Sequence, residues 1–281
     1  MIQGLKTTLL MAGLTGLFMA VGYALGGQSG MLIALAFAAV SNIAMYWLSD
    51  TVVLKMQGAK PLGNRYPQVE RIVADLAQQQ QMPMPKLYYV DTDIPNAFAT
   101  GRSPSHAAVA VTAGIMELLT DNELRAVLAH ELGHVKNRDM LVSTIAATMA
   151  GAISYIAEFA FWFGGSRDNE NSNPIVALLA MILAPLAAMV IQLAVSRSRE
   201  YLADEHSAHL LGSGKDLESA LLKLENWKQH VPPITPSPTD NVASALMFSN
   251  MFSRQGLASL FSTHPSTADR VKRLRQIDHR H

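Results

Sequence analysis

"AVLAHELGHVKNRD", residues 126–139, sets two histidines four apart, with a glutamate directly after the first. On a helix, positions four apart share a face, so His130 and His134 point the same way. Glu131 lies about 100° round the helix from His130. Neutral imidazoles suit a zinc ion, and a nearby carboxylate can take a proton from water. The spacing therefore reads as half of a catalytic metal site that carries its own base. The competing reading is a solvated polar face. The residues upstream fix the secondary structure: Thr120 and Glu123 in "TDNE" have the spacing of a capping box. Leu124, Val127 and Leu128 give the helix an apolar face. It is expected to run at least to Arg138, either continuing into the next apolar run or breaking near Asn137.

A catalytic zinc usually has three protein ligands. The chain has no cysteine, so a third must be His, Asp or Glu. "SRSREYLADEHSAH", residues 196–209, offers Glu200 and Asp204 on one helical face. Glu200 can bind the ion while Asp204 accepts the outer N–H of a ligand histidine and fixes its tautomer. His206, His209 and Asp204 itself remain rival ligands on these grounds.

The rest of the chain says where such a site would sit. Of 281 residues, 49% are hydrophobic and 16% charged, and the formal net charge is zero. Such a balance gives no reason to expect nucleic acid as a partner. No charged side chain occurs from Thr7 to Ser49. At about 1.5 Å per helical residue, that stretch can cross a bilayer core of about 30 Å twice. "GGQSG", residues 26–30, reads as the turn. A second pair of apolar runs, 140–163 and 175–195, flanks the polar loop "GGSRDNENSNP". Glu158 makes the first of that pair the weaker span. Basic residues Lys6, Lys55, Lys60, Arg65, Arg197 and Arg199 all flank the runs on sides that can face the cytoplasm together.

The expected organisation has four parts. Residues 1–50 form an N-terminal transmembrane hairpin. Residues 51–139 are the first part of a cytoplasmic catalytic domain. Residues 140–195 form a second hairpin, and 196–281 complete the catalytic domain. His134 precedes the third apolar run by six residues and Glu200 follows the fourth by five. A metal held between them would lie roughly 10–15 Å from the membrane surface. Within the polar part, "YPQVERIVADLAQQQQ" predicts a helix with Pro67 in its first turn. "KLYYV" (86–90), "NAFATG" (96–101) and "HAAVAVTAG" (106–114) predict a small sheet.

Four elements in order, "NAFATG", "HELGH", "SRSREYLAD" and "STHPST", resemble the HtpX-type membrane zinc metalloproteases, relatives of the CAAX prenyl endopeptidases. The resemblance covers nearly the whole chain. It implies a fold that is mostly α with a small β-sheet: an integral membrane protein with two helical hairpins and a zincin-like cytoplasmic domain. It implies a gluzincin-type endopeptidase with one Zn2+ per chain, whose third ligand is Glu200. It also implies residence in the bacterial cytoplasmic membrane and degradation of damaged or misassembled membrane proteins.

Three further groups are candidates. A protease holds its peptide extended, and an edge strand does so with backbone hydrogen bonds. Asn96, Ala97, Phe98 and Ala99 would then meet substrate. His264 would donate to the oxyanion formed on attack, and Thr263 and Pro265 would open the final helix. Arg270 is expected as an exposed helix charge, with a site carboxylate as its alternative partner. Residues 243–261, rich in Met and Phe, are expected to pack on the catalytic domain. The reading that gathers these features is zinc-dependent peptide hydrolysis, with His130, His134 and Glu200 on the ion and Glu131 as base. The alternatives are a transporter with Glu158 in its pathway, or a metal-dependent scaffold without turnover.

Overall fold

The structure is a computed structural model that describes residues 2–137, 197–230 and 265–278, with side chains for only part of residues 2–50 and not for 197 and 198. The two apolar runs at 140–163 and 175–195, Glu158, His264 with its expected cap Thr263, and the segment 243–261 lie outside the described residues.

Helix α1 (Ile2–Met56) leads into β1 (Lys60–Pro61) and α2 (Pro67–Gln79). Strands β2 (Lys86–Val90), β3 (Ala97–Gly101) and β4 (Ala107–Thr112) follow, then α3 (Ala113–Leu118) and α4 (Asp121–Lys136). Helices α5 (Arg197–Leu211), α6 (Lys215–His230) and α7 (Thr267–Asp278) complete the described part. The architecture is mostly helical with one small mixed sheet.

The sheet runs β1-β2-β4-β3. β3 pairs antiparallel with β4, β2 pairs parallel with β4, and β1 closes the far side antiparallel to β2. β3 is thus an edge strand. Side chains alternate across a sheet, and each face has its own helical cover. Ala97, Val109 and Val111 join the main core under α2, α4, α5 and α6, with Leu76, Leu128, Leu132 and Leu224 among its buried members. Phe98, Ala108, Ala110 and Val90 face the other way, onto Val53 and Leu54 of α1.

Two elements depart from expectation. The N-terminal segment is one helix, Ile2–Met56, where two helices joined by a turn were expected. Gly27, inside "GGQSG", has a φ of 59°, the left-handed region that glycine reaches without a Cβ penalty. The helix also passes the expected boundary at residue 50, because Val53 and Leu54 have sheet to cover. Among the described residues, no helix is long and apolar enough to cross a membrane. The last helix begins at Thr267, because the Ser266 hydroxyl, rather than Thr263, accepts the Asp269 amide at 3.1 Å and caps it.

Candidate metal centre

The start of α4 is set by the capping box. Thr120 accepts from the Glu123 amide, and the Glu123 carboxylate accepts from the Thr120 amide at 2.8 Å. The helix ends at Lys136, with Asn137 as its C-cap. Ten residues after Thr120, His130 is buried; His134 is partly exposed one turn on.

Helix α5 crosses α4 closely at Gly133. A Cβ there would meet the His206 ring at 3.1 Å and the Ala203 Cα at 3.6 Å. The Ser207 hydroxyl also donates to the Ala126 carbonyl at 2.8 Å. This close crossing brings Glu200 to the histidines. Glu200 Oε1 lies 3.4 Å from His134 Nε2, and Oε2 lies 3.7 Å from His130 Nε2. The two Nε2 atoms are 3.2 Å apart.

These separations test whether a metal fits. Tetrahedral ligands at 2.0–2.1 Å from zinc stand about 3.3–3.4 Å from one another. Observed spacings of 3.2, 3.4 and 3.7 Å are close to that triangle. His130, His134 and Glu200 form the group among the described residues that can hold a metal ion. The rival ligands turn elsewhere. His206 Nε2 faces Gln80 Oε1 at 2.8 Å, just past the end of α2, and His209 lies half-exposed beside Glu205.

Behind the triangle sits a relay of buried charge. His130 Nδ1 is 2.9 Å from Asp204 Oδ1, which assigns Nδ1–H as donor and leaves Nε2 with its lone pair. Burial pushes the His130 imidazole down to about 4 despite the Asp204 hydrogen bond, so the ring is neutral at pH 7. Burial would raise Asp204, but the Arg270 guanidinium and His130 outweigh it and hold it below the usual carboxylate range.

Arg270 is a correction to the sequence reading. It is 2% exposed and grips Asp204 with two prongs, Nε to Oδ2 at 2.8 Å and Nη2 to Oδ1 at 2.6 Å. Its Nη1 lies 3.9 Å from Glu200. The sequence signal was present: Arg270 adjoins Val271 and lies one turn before Leu274, the apolar positions of α7 that point inward.

Glu131 is buried near the triangle, where the charges of His134 and Glu200 act on it. Burial pushes its carboxyl up to about 7; His134 opposes the shift and Glu200 adds to it. Its Oε2 accepts the Ala99 amide of β3 at 3.0 Å. That bond fixes the sense of the edge strand. In an antiparallel strand, the amide and carbonyl of one residue point to one side, alternating along the chain. Ala97 and Ala99 therefore turn their main chains outward. Asn96 does not, because its amide and carbonyl are bonded to Thr112. Phe98 turns its main chain to β4 and its ring into the α1 cluster, 2% exposed. Of the four expected substrate contacts, the outward backbone thus belongs to Ala97 and Ala99.

Comparison with known proteins adds relatives to this geometry. Residues 64–278 match the family described as Peptidase family M48. A protein named Protease HtpX homolog from Methylibium petroleiphilum is 49% identical over 276 residues, 98% of this chain and 97% of that one. Another of the same name from Ralstonia pickettii is 48% identical over 280 residues, covering 99% and 97%. Among solved structures, the crystal structure of S. mikatae Ste24p superposes with a TM-score of 0.53 at 20% identity. The match spans 98% of this chain and 64% of that one, and it is a likeness of fold.

Proposed function

The chain belongs to peptidase family M48 and is a metallopeptidase, and on that premise we propose that it is a membrane-bound zinc endopeptidase that cuts misfolded or damaged membrane proteins. The observation that carries the reading is the convergence of His130, His134 and Glu200, from α4 and α5, with ligand atoms within 4.8 Å of one another. Bound there, zinc would polarise a substrate carbonyl and acidify a water.

The protein's own residues do the remaining work. An extended peptide adds to the outer edge of β3 through the Ala97 main chain and the Ala99 carbonyl, the Ala99 amide being held by Glu131. Glu131, beside Ala99, takes the proton of the attacking water and returns it to the leaving amine. The Asp204 carboxylate holds the His130 ring, and Arg270 holds that carboxylate in turn. His264, which lies outside the described residues, would donate to the oxyanion.

The membrane location is supported by α1. Its Leu32, Ile33, Phe37, Val40 and Ile43 are each 57–71% exposed, an apolar surface suited to lipid. On this reading the catalytic part faces the cytoplasm of a bacterial inner membrane, and the physiological setting is protein quality control under stress.

The test is metal analysis of the purified full chain, with cleavage of an unfolded polypeptide before and after chelation. About one zinc per chain, loss of cleavage on chelation and its return with zinc support the proposal. Full activity in the metal-free protein would sink it.

A further inference from the structure

The N-terminal helix meets the sheet on the face away from the metal. Val53 and Leu54, in its last turns, share a buried cluster with Phe98. Further back along the helix, the guanidinium of Arg102, the residue after β3, lies 4.6 Å from the centroid of the Trp47 ring. Trp47 and Leu54 are seven residues apart, so they share a face and are separated by about 10.5 Å along the helix. Phe98 and Arg102 are four residues apart, or about 13 Å of strand. The two spacings nearly match, and they run in opposite senses. Helix α1 therefore lies antiparallel alongside β3 and touches it at both ends.

The helix is closed at its own C-terminal end as well. The Ala59 amide donates to the Leu54 carbonyl at 2.8 Å and the Gly58 amide to that of Lys55 at 3.0 Å. The chain then enters β1. β3 is thus held by α4 at its outer edge, through the Ala99 amide and Glu131, and by α1 on the face that carries Phe98.

We propose that α1 is the brace of the substrate-binding edge, with Phe98 and the Trp47–Arg102 pair acting as positioning residues for peptide hydrolysis. This rests on the reading of β3 as the strand to which substrate adds. A five-residue strand paired on one side only must stay ordered to accept a peptide on the other. Ordering it in advance removes part of the entropic cost of binding. The brace meets the sheet on the face opposite the main core, so it acts on substrate binding rather than on the metal centre. Trp47 is 56% exposed, so its removal opens no core.

The test uses the full chain in detergent with an extended fluorogenic peptide. Trp47→Ala and Arg102→Ala should each raise KM about two- to fivefold, the range expected for an exposed cation–π contact. Leu54→Ala should raise it more. Metal content should stay unchanged and kcat within about twofold. Trp47→Phe and Arg102→Lys should recover most of the native KM, and the double alanine variant should be little worse than either single one. An unchanged KM in Trp47→Ala and Leu54→Ala overturns the brace, as does a joint fall of kcat and metal content.

A second peptide separates this failure from that of the underlying reading. It carries N-methyl groups on alternate amides, placed to block strand pairing. If the native protein binds it as well as the unmethylated peptide, substrate does not add to β3, and the brace falls with that reading. If only the unmethylated peptide binds and the variants behave like the native protein, the edge stands and the brace alone is overturned.

Discussion

Glu123 and Glu131 stand eight residues apart on the same helix, and both are buried. Their protonation is opposite. Burial pushes any carboxyl upward. At Glu123 the Lys223 ammonium at 2.7 Å, the Ser219 hydroxyl at 2.6 Å and both donors of Thr120 outweigh it, pulling the group down to about 2. At Glu131 the Ala99 amide donates and Glu200 is near, so burial wins and the group rises to about 7. The difference lies in the donors and in depth, since Glu131 is enclosed more deeply than Glu123. A buried carboxylate with its lone pairs filled is a fixed anion that clamps α4 to α6. One with spare lone pairs and a pKa near the working pH is suited to carry a proton.

The sharpest way to break this contrast is to neutralise each group in turn. Glu131→Gln keeps the size and the acceptor for Ala99 but cannot take a proton. We expect kcat to fall by about 10²–10⁴, with zinc content retained. Turnover within tenfold of native, with metal still bound, would remove Glu131 from the role of base. Asp204 resembles Glu123 in having its oxygens filled, yet it serves the site. Asp204→Asn should weaken zinc affinity about 10–100-fold in a competition titration against a chelator. Glu123→Gln should leave kcat at 25 °C within about twofold. It should cost about 1–3 kcal/mol of stability in denaturant unfolding, because Lys223 loses its charged partner.

What the sequence disclosed follows the range of each interaction. The capping box and the histidine pair are local, at three and four residues, so helical geometry alone exposes them. Glu200 and Asp204 are also four apart and form one readable face, although nothing local says that the face meets α4. Period-two patterning marked the strands, and the β4 register then decides which residues of β3 turn outward. That is why Ala97 and Ala99 separate from Asn96 and Phe98 only in the structure. Gly133 within "HELGH" permits the helix crossing on which the ligand triangle depends, and nothing local says that a helix passes there. Arg270 acts 66 residues from its partner Asp204, and Lys223 acts 100 from Glu123. Partners this distant leave no periodicity to read. In "GGQSG", where a turn was expected, Gly27 takes the left-handed φ inside the single helix.

The smallest expected effect discriminates best, because its sign differs between the two glutamates. Glu131 has a folded pKa raised from 4.5 to about 7, so its folded state binds the proton more tightly than the unfolded chain. Its stabilising contribution is complete below about pH 4.5 and lost as pH rises to about 7. Glu123 is lowered from 4.5 to about 2, so its contribution is complete above 4.5 and lost as pH falls toward 2. In the metal-free protein, Glu131→Gln should therefore unfold a few degrees above native at pH 8, with the gap closing toward pH 4.5. Glu123→Gln should unfold below native at pH 7, and that gap should close only as pH drops below 4.5. Zinc binding should flatten the first curve, because a dication beside Glu131 favours its charged form, and leave the second unchanged. Thermal melts of the three proteins across pH, with and without zinc, read both slopes. Parallel curves would mean that neither donors nor depth separates the two carboxylates, and that Glu131 is another structural anion.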